Sequence, residues 1–165
     1  MEEGREILTI GHSTHLIETF LALVREHSIE AIADVRRRPA SRRNPQFNSR
    51  ALEVALVEAG TAYVPFGDEL GGLRRPRSEG ATSSLSGALA AYAQHMEGED
   101  FQAGLGRLEE LARDRRTAVM CAEADWRNCH RQLIADSLVE RGWRVMHVGP
   151  DGGLAEHPQQ VTLDV

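Results

Sequence analysis

The stretch TAVMCAEADWRNCHR, residues 117–131, contains the pattern from which the fold is predicted. Its apolar run ends at Cys121 and predicts a buried strand, because short runs of apolar residues are typical of strands inside a parallel sheet. A polar loop with Glu123 and Asp125 follows, and a helix is expected over about residues 128–141. A strand, a polar turn and a helix N-terminus form the ligand sites of open α/β sheets. The stretch therefore predicts a binding site.

Similar alternations of apolar runs and helical patterns occupy the rest of the chain. Strands are predicted over residues 7–11, 30–35, 61–66, 118–121 and 143–148. Helices are predicted over residues 16–26, 48–59, 85–96, from 100 onward, and 128–141. This order predicts one α/β domain over residues 1–165, a Rossmann-like three-layer α/β/α fold with a mostly parallel sheet of about five strands. Residues 67–83 are expected to form a long functional or mobile loop, and residues 161–163 an edge strand.

The composition is that of an ordinary globular protein with an acidic excess: 41% hydrophobic, 27% charged and a formal net charge of −6. No run of about 18 apolar residues is present to span a membrane. The acidic start leads directly into a strand, so we expect no signal peptide and a cytoplasmic protein. Net acidity also argues against extensive nucleic-acid binding, which depends on neutralising phosphates. All 19 basic residues are arginine, which excludes a Schiff-base lysine.

Polar and ionisable side chains lie just beyond three of the predicted strands. In chain order they are His12, Ser13, Asp34, Arg36, Cys121 and Glu123. Because right-handed crossovers bring the carboxyl ends of parallel strands to one rim, these side chains are expected to surround one site. The alternative is that Asp34 and Glu123 only pair with arginines to complete their loops.

Three of these side chains are candidate catalytic groups: Glu123, His12 and Asp34. Carboxylates supply acid–base or nucleophilic chemistry. An imidazole with an unperturbed pKa near 6.5 can act as general acid or base. The alternative is that His12 only forms a hydrogen bond with Asp34 or Glu123.

Six residues are candidate ligand contacts: Ser13, Arg36, Arg42, Cys121, His130 and Arg131. Arginine makes bidentate contacts to phosphate and carboxylate groups. Arg131 falls in the first turn of its predicted helix, where anions are favoured. The sequence therefore predicts a small anionic ligand held by Arg36 and Arg131.

The two cysteines, Cys121 and Cys129, are expected to be thiols packed in the core. Cys121 and Arg127 have the C-x₅-R spacing of phosphatase loops, but the loop between them lacks glycine and carries two acids that repel phosphate. Zinc needs three or four converging ligands. Cys129 and His130 would diverge by about 100° on a helix, so we expect no metal site, and the sequence leaves the cofactor unknown.

Four sequence blocks carry a resemblance to a known family. They are TIGHS at residues 9–13, DVR-x-x-P at 34–39 followed by Ser41 and Arg42, LGG at 70–72, and CAE with CHR within 121–131. In combination they resemble the family called domain of unknown function 488, over about residues 7–148. The resemblance implies an α/β fold and no settled activity. The chain departs from the family pattern by its extra arginines Arg37, Arg38 and Arg43.

Three functional classes are compatible with these patterns. The first is an enzyme that acts on an anionic small molecule, such as a nucleotide or nucleoside derivative, at the carboxyl rim of the sheet. The alternative is a non-catalytic module that binds nucleic acid or a nucleotide through the loop 36–43, where five arginines stand within eight residues. The competing interpretation is that the loop is solvated and that its arginines pair with nearby acidic residues. A cysteine-based redox or metal protein ranks last.

Overall fold

The structure, a computed structural model, describes residues 5–71 and 85–159. The strands are β1 Glu6–Gly11, β2 Ala31–Asp34, β3 Ala62–Pro65, β4 Thr117–Cys121, β5 Arg144–Val148 and β6 Leu154–Glu156. The helices are α1 Ile17–Glu26, α2 Ser49–Glu58, α3 Gly67–Leu70, α4 Leu85–Met96, α5 Glu99–Asp114 and α6 Arg131–Glu140. Single 3₁₀ turns cover Pro45–Phe47 and Trp126–Asn128. None of these helices is long and apolar enough to cross a membrane.

The strands form one sheet in the order β3-β2-β4-β1-β5-β6. The first five are parallel, and β6 pairs antiparallel with β5. Every residue of β4 is buried, because a central strand of a parallel sheet is covered on both faces. The predicted three-layer α/β/α fold with a mostly parallel sheet is confirmed.

Alternation along the strands divides the core between the two faces of the sheet. Ala118 and Met120 of β4 face a cluster that includes α1 and α2. Val119 and Cys121 face the opposite cluster, which includes α5 and α6. Successive side chains of a strand point to opposite faces, so each polar residue beyond a strand end is also assigned to one face.

The connections place three strand ends at the centre of the carboxyl rim. From β1 the chain crosses over β4 to β2 by way of α1, and from β4 it crosses over β1 to β5 by way of α6. The two connections therefore leave the rim on opposite faces, the arrangement that opens a crevice for ligands in α/β sheets. In register, Gly11 lies beside Cys121 and Asp34 beside Met120.

Some predicted boundaries need correction. Helix α6 begins at Arg131 rather than at 128, because Cys129 is extended, with φ −147° and ψ 159°, between the 3₁₀ turn and the helix. A short helix, α3, occupies the start of the predicted loop 67–83, and residues 72–83 lie outside the described residues. The predicted edge strand at 161–163 also lies outside them. Among the described residues the edge strand beside β5 is β6.

The close approach of β1 to the loop after β4 gives a test of the fold. A Cβ atom at Gly11 would lie 1.8 Å from the carbonyl oxygen of Glu123. Gly11→Ala must therefore displace that loop, and we expect it to lower the free energy of unfolding by more than about 2 kcal/mol. The matched control is Gly106→Ala in α5, where a Cβ meets nothing within 4 Å. This substitution should raise the free energy of unfolding by about 0.5–1 kcal/mol. Urea denaturation measures the free energy of unfolding of both variants. Equal values for the two would contradict the close contact between Gly11 and the loop after β4.

Candidate functional site

Backbone hydrogen bonds join the three central strands beyond their ends. The N–H of His12 donates to the carbonyl of Cys121 at 2.9 Å, and the N–H of Ser13 donates to that of Ala122 at 2.9 Å. On the other side of β4, the N–H of Val35 donates to the carbonyl of Met120 at 3.0 Å. The loops after β1, β4 and β2 are thus held side by side at the rim.

A buried ion pair lies at the end of β2. The guanidinium of Arg36 donates to Asp34 from Nε at 2.9 Å and from a terminal nitrogen at 2.8 Å. The carboxylate also accepts the backbone N–H of Arg36 at 3.0 Å and the hydroxyl of Tyr63 at 2.6 Å. Burial and the hydrogen bond to Asp34 raise the pKa of Tyr63, so the phenol remains a donor. These contacts fix the orientation of Arg36.

His12 completes this cluster. Its Nε2 lies 3.3 Å from the remaining terminal nitrogen of Arg36, its Nδ1 lies 2.8 Å from the carbonyl of Ser13, and its ring stacks on Phe47 with centroids 4.4 Å apart. Burial lowers the pKa of His12 to about 4, and the charge of Arg36 acts in the same direction. The ring is therefore neutral at pH 7. Its partners assign the proton to Nδ1 and leave Nε2 as an acceptor.

Ser13 has a left-handed backbone, with φ +49°. Few residues other than glycine adopt this conformation, and strained conformations of this kind cluster at functional sites. Here it turns the chain out of β1 and holds the Ser13 carbonyl against His12. The side chain of Ser13 is half-buried at the rim.

The arginine-rich loop between β2 and α2 is anchored beside this cluster. Phe47 is buried between His12 and Phe20, and the side-chain amide of Gln46 donates to the carbonyl of His15 at 2.8 Å. Arg36 is buried at the base of the loop. The other four arginines of the loop are exposed: Arg37, Arg38, Arg42 and Arg43.

Arg131 faces the protein interior. It is 1% exposed and donates to the backbone carbonyls of Glu123 and Ala124 at 2.8 and 3.3 Å and to the hydroxyl of Thr9 at 3.2 Å. These carbonyls point inward, the reverse of the N–H groups that cradle phosphate in a phosphatase loop. The guanidinium of Arg131 contacts Glu123 at its backbone carbonyl, and Glu123 is an exposed residue. Ligand contact by Arg131 stays a prediction.

The two cysteines lie together beneath the same loop. Their sulfur atoms are 2.8 Å apart, and Cys129 Sγ accepts the backbone N–H of Arg131 at 3.3 Å. His130 lies between the thiols and β2, with Nδ1 3.6 Å from Cys129 Sγ and Nε2 3.1 Å from the carbonyl of Val35. The hydrogen bond from Cys121, then His130 and the Arg131 N–H, lower the pKa of Cys129. Burial and the neighbouring Cys129 raise the pKa of Cys121.

The predicted site residues thus form two clusters rather than one. His12, Asp34 and Arg36 lie on the face of the sheet that carries α1 and α2, with Phe47 and Tyr63. The second cluster lies on the face that carries α5 and α6 and contains Cys121, Cys129, His130 and Arg131. The two clusters are connected by the backbone hydrogen bond from His12 to Cys121 and by the contact of the His130 imidazole with the carbonyl of Val35.

The family model described as domain of unknown function DUF488 matches residues 16–138. The chain belongs to this family. The matched segment contains the ion pair and the cysteine pair, whereas His12 and Ser13 lie just before it. No curated protein and no solved structure matches the chain.

The sequence patterns missed a second polar network of this DUF488 protein. From Arg131 the hydrogen bonds continue through Thr9 to His147 Nδ1 at 2.5 Å, from His147 Nε2 to His157 at 2.9 Å, and from His157 to Asp136 at 2.6 Å. The β1–β5 register places Thr9 beside His147. His147, within the apolar run 143–148, was the signal of this network in the sequence. Its hydrogen-bond partners depend on the order of the strands in the sheet.

A cavity of about 410 Å³ lies beside this network at the carboxyl rim. Trp126, Arg127 and Leu154 contribute to its lining, and Trp126 stacks on His147 with ring centroids 4.2 Å apart. Within residues 5–71 and 85–159, no group of three or more His, Cys, Asp or Glu side chains could hold a metal ion. The absence of a metal site from the protein stays a prediction.

The lowered pKa of His12 predicts how stability depends on pH. Unfolded chains bind a proton near pH 6.5, while folded His12 binds one only near pH 4, so its contribution is complete above pH 6.5 and is lost as the pH falls toward 4. Between pH 7 and pH 5 this loss amounts to about 2 kcal/mol. His12→Gln should therefore lose about 2 kcal/mol less than the parent over this interval in urea denaturation. Equal losses would show that His12 is not buried in neutral form.

Proposed function

We propose that this DUF488 protein is an enzyme that acts on an anionic small molecule at the rim cluster of His12, Asp34 and Arg36. A nucleotide or nucleoside derivative is the class we propose first. The observation that carries the proposal is a series of buried hydrogen bonds that joins Asp34 to Arg36 and Arg36 to the neutral imidazole of His12. It stands at the strand ends, where open α/β sheets bind their ligands.

Stability is a weak reason for this cluster to exist. A buried ion pair pays a large desolvation cost, and well-packed apolar side chains of similar volume often stabilise a core as well or better. Asp34 is 1% exposed and Arg36 8% exposed, so both charges bear that cost. An arginine with a fixed orientation beside a neutral histidine is, in contrast, well suited to binding an anion and moving a proton.

The geometry supports a definite way of holding the anion. Two guanidinium nitrogens of Arg36 are engaged by Asp34, and the third contacts His12 at 3.3 Å. A phosphate or carboxylate oxygen that replaces this long contact would bind Arg36 and release Nε2 of His12. Arg42 on the anchored loop would add positive charge, and Ser13 would supply a hydroxyl beside the ring.

The same replacement would activate His12. A ligand anion near the ring favours its charged form and so raises its pKa from about 4. Nε2 could then accept a proton from the substrate, with the exposed carboxylate of Glu123 as the second acid–base group. Proton transfer would therefore be coupled to ligand binding.

The alternative is a non-catalytic module that binds nucleic acid or a nucleotide through the loop 36–43. It is favoured by the four exposed arginines on a loop anchored by Phe47. The net charge places it second, because the whole chain carries −6, which weakens binding to a polyanion.

Binding and turnover variants test the enzyme. Adenosine monophosphate should raise the thermal midpoint of the parent protein, and Arg42→Ala should weaken its binding about tenfold, equivalent to about 1.4 kcal/mol. Arg115→Ala is the matched control, because Arg115 is half-exposed at the opposite end of the sheet. Glu123→Gln should retain binding but lower product formation from the bound nucleotide about a hundredfold or more.

Two results would contradict the proposal. One is that neither nucleoside monophosphates nor inorganic phosphate stabilises the parent. The other is tight binding of a single-stranded oligonucleotide at physiological salt, with a steep salt dependence that the triple variant Arg37→Ala, Arg38→Ala, Arg43→Ala removes. That outcome would establish the alternative. We expect weak oligonucleotide binding and little effect of the triple change.

A further inference from the structure

The cysteine pair has the geometry of a reactive dithiol. Cys121 and Cys129 are buried with their sulfur atoms 2.8 Å apart. A disulfide has a sulfur–sulfur distance of about 2.05 Å, so the two atoms need to approach by only about 0.8 Å. They come from different elements, since Cys121 ends β4 and Cys129 is the extended residue before α6. Their proximity is therefore a product of the fold.

Electrostatic contacts distinguish the two sulfurs. Cys129 Sγ faces the backbone N–H of Arg131 at the start of α6 and the imidazole of His130, contacts that stabilise a thiolate. Cys121 Sγ lies 3.7 Å from the carbonyl of Glu123, and burial holds its proton in place. Cys129 is thus the nucleophile, and Cys121 is the neutral thiol beside it.

Burial restricts the oxidant to a small molecule. Cys121 is 2% exposed and Cys129 6% exposed, which leaves no room for a peptide disulfide to align with either sulfur. Hydrogen peroxide is small enough and reacts with thiolates. The loop after β4 contacts Cys121 Sγ through the carbonyl of Glu123, and Arg131 holds this loop in place.

We propose that Cys121 and Cys129 form a peroxide-reactive site that closes to an internal disulfide. The thiolate of Cys129 attacks one oxygen of hydrogen peroxide, the O–O bond breaks, and hydroxide leaves with the electron pair. Cys129 becomes a sulfenic acid. Cys121 then attacks that sulfur, the S–O bond breaks, and water leaves with the proton of Cys121. The hydroxide takes up the proton that Cys129 released on forming its thiolate, so in total two thiols and one hydrogen peroxide give one disulfide and two waters.

Closure alters the contacts at the start of α6. The disulfide removes the negative charge that faces His130 and the N–H of Arg131. His130 also contacts the carbonyl of Val35, the residue between Asp34 and Arg36. Oxidation therefore removes a negative charge beside the side chain that connects the two clusters. A dithiol reductant reverses the reaction once the protein is unfolded.

Peptide mapping of the parent protein tests the site. Trypsin cleaves after Arg116, Arg127 and Arg131, so it separates the two cysteines into the peptides TAVMCAEADWR and NCHR. After treatment of reduced protein with hydrogen peroxide and alkylation of the remaining thiols, we expect these two peptides joined by a disulfide in monomeric protein. Oxidised glutathione should react at least tenfold more slowly than peroxide, because it is too large to reach the sulfurs.

Two variants assign the sulfurs. Cys121→Ser should stop at a sulfenic acid on Cys129, detected by mass spectrometry as one added oxygen atom, and Cys129→Ser should leave Cys121 a thiol. The rate for the parent should be nearly constant from pH 6 to pH 8, whereas an ordinary thiol with a pKa near 8.5 would react much faster at pH 8. Retention of both alkylatable thiols in the parent, a disulfide between two chains, or equally fast oxidation of Cys129→Ser would overturn the proposal.

Discussion

The ion pair between Asp34 and Arg36 is the contact on which the rest of the rim depends. Asp34 ends β2 and accepts hydrogen bonds from the backbone and side chain of Arg36 and from Tyr63. Removing either charge would leave the other buried without a partner, a change that typically costs about 3–5 kcal/mol. Burial keeps the His12 imidazole neutral, and the fixed Arg36 contacts its Nε2. One carboxylate thus sets the geometry of the proposed anion site.

Much of the fold could be predicted because its signals are local. The buried run before Cys121 and the helical spacing around it required an α/β sheet, and the polar residues beyond three strands indicated its rim. Strand order is not local. The contact of Thr9 with His147 requires β5 to pair with β1, and nothing in either segment records that pairing. The division of the predicted site into two clusters likewise follows from which face each strand end presents.

The region around Cys129 shows where local patterns are insufficient. A helix from residue 128 would make Cys129 and His130 diverge, and Cys129 would only pack. In the structure Cys129 is extended and α6 starts at Arg131, which brings its sulfur to Cys121 and to the helix N-terminus. The guanidinium of Arg131 binds the carbonyls of the loop after β4, and its contact with a ligand stays a prediction. The extended conformation of a single residue, Cys129, therefore accompanies the approach of the two sulfurs.

The pKa of the His12 imidazole, measured by NMR titration of the free and the ligand-saturated protein, tests the central claim most directly. In the free protein burial should hold this pKa near 4. Saturation with adenosine monophosphate should place a phosphate between Arg36 and His12 and raise the pKa toward the ordinary value of about 6.5. A His12 pKa that stays the same in the saturated protein, with resonance shifts confined to Trp126 and His147 at the neighbouring cavity, would contradict the account.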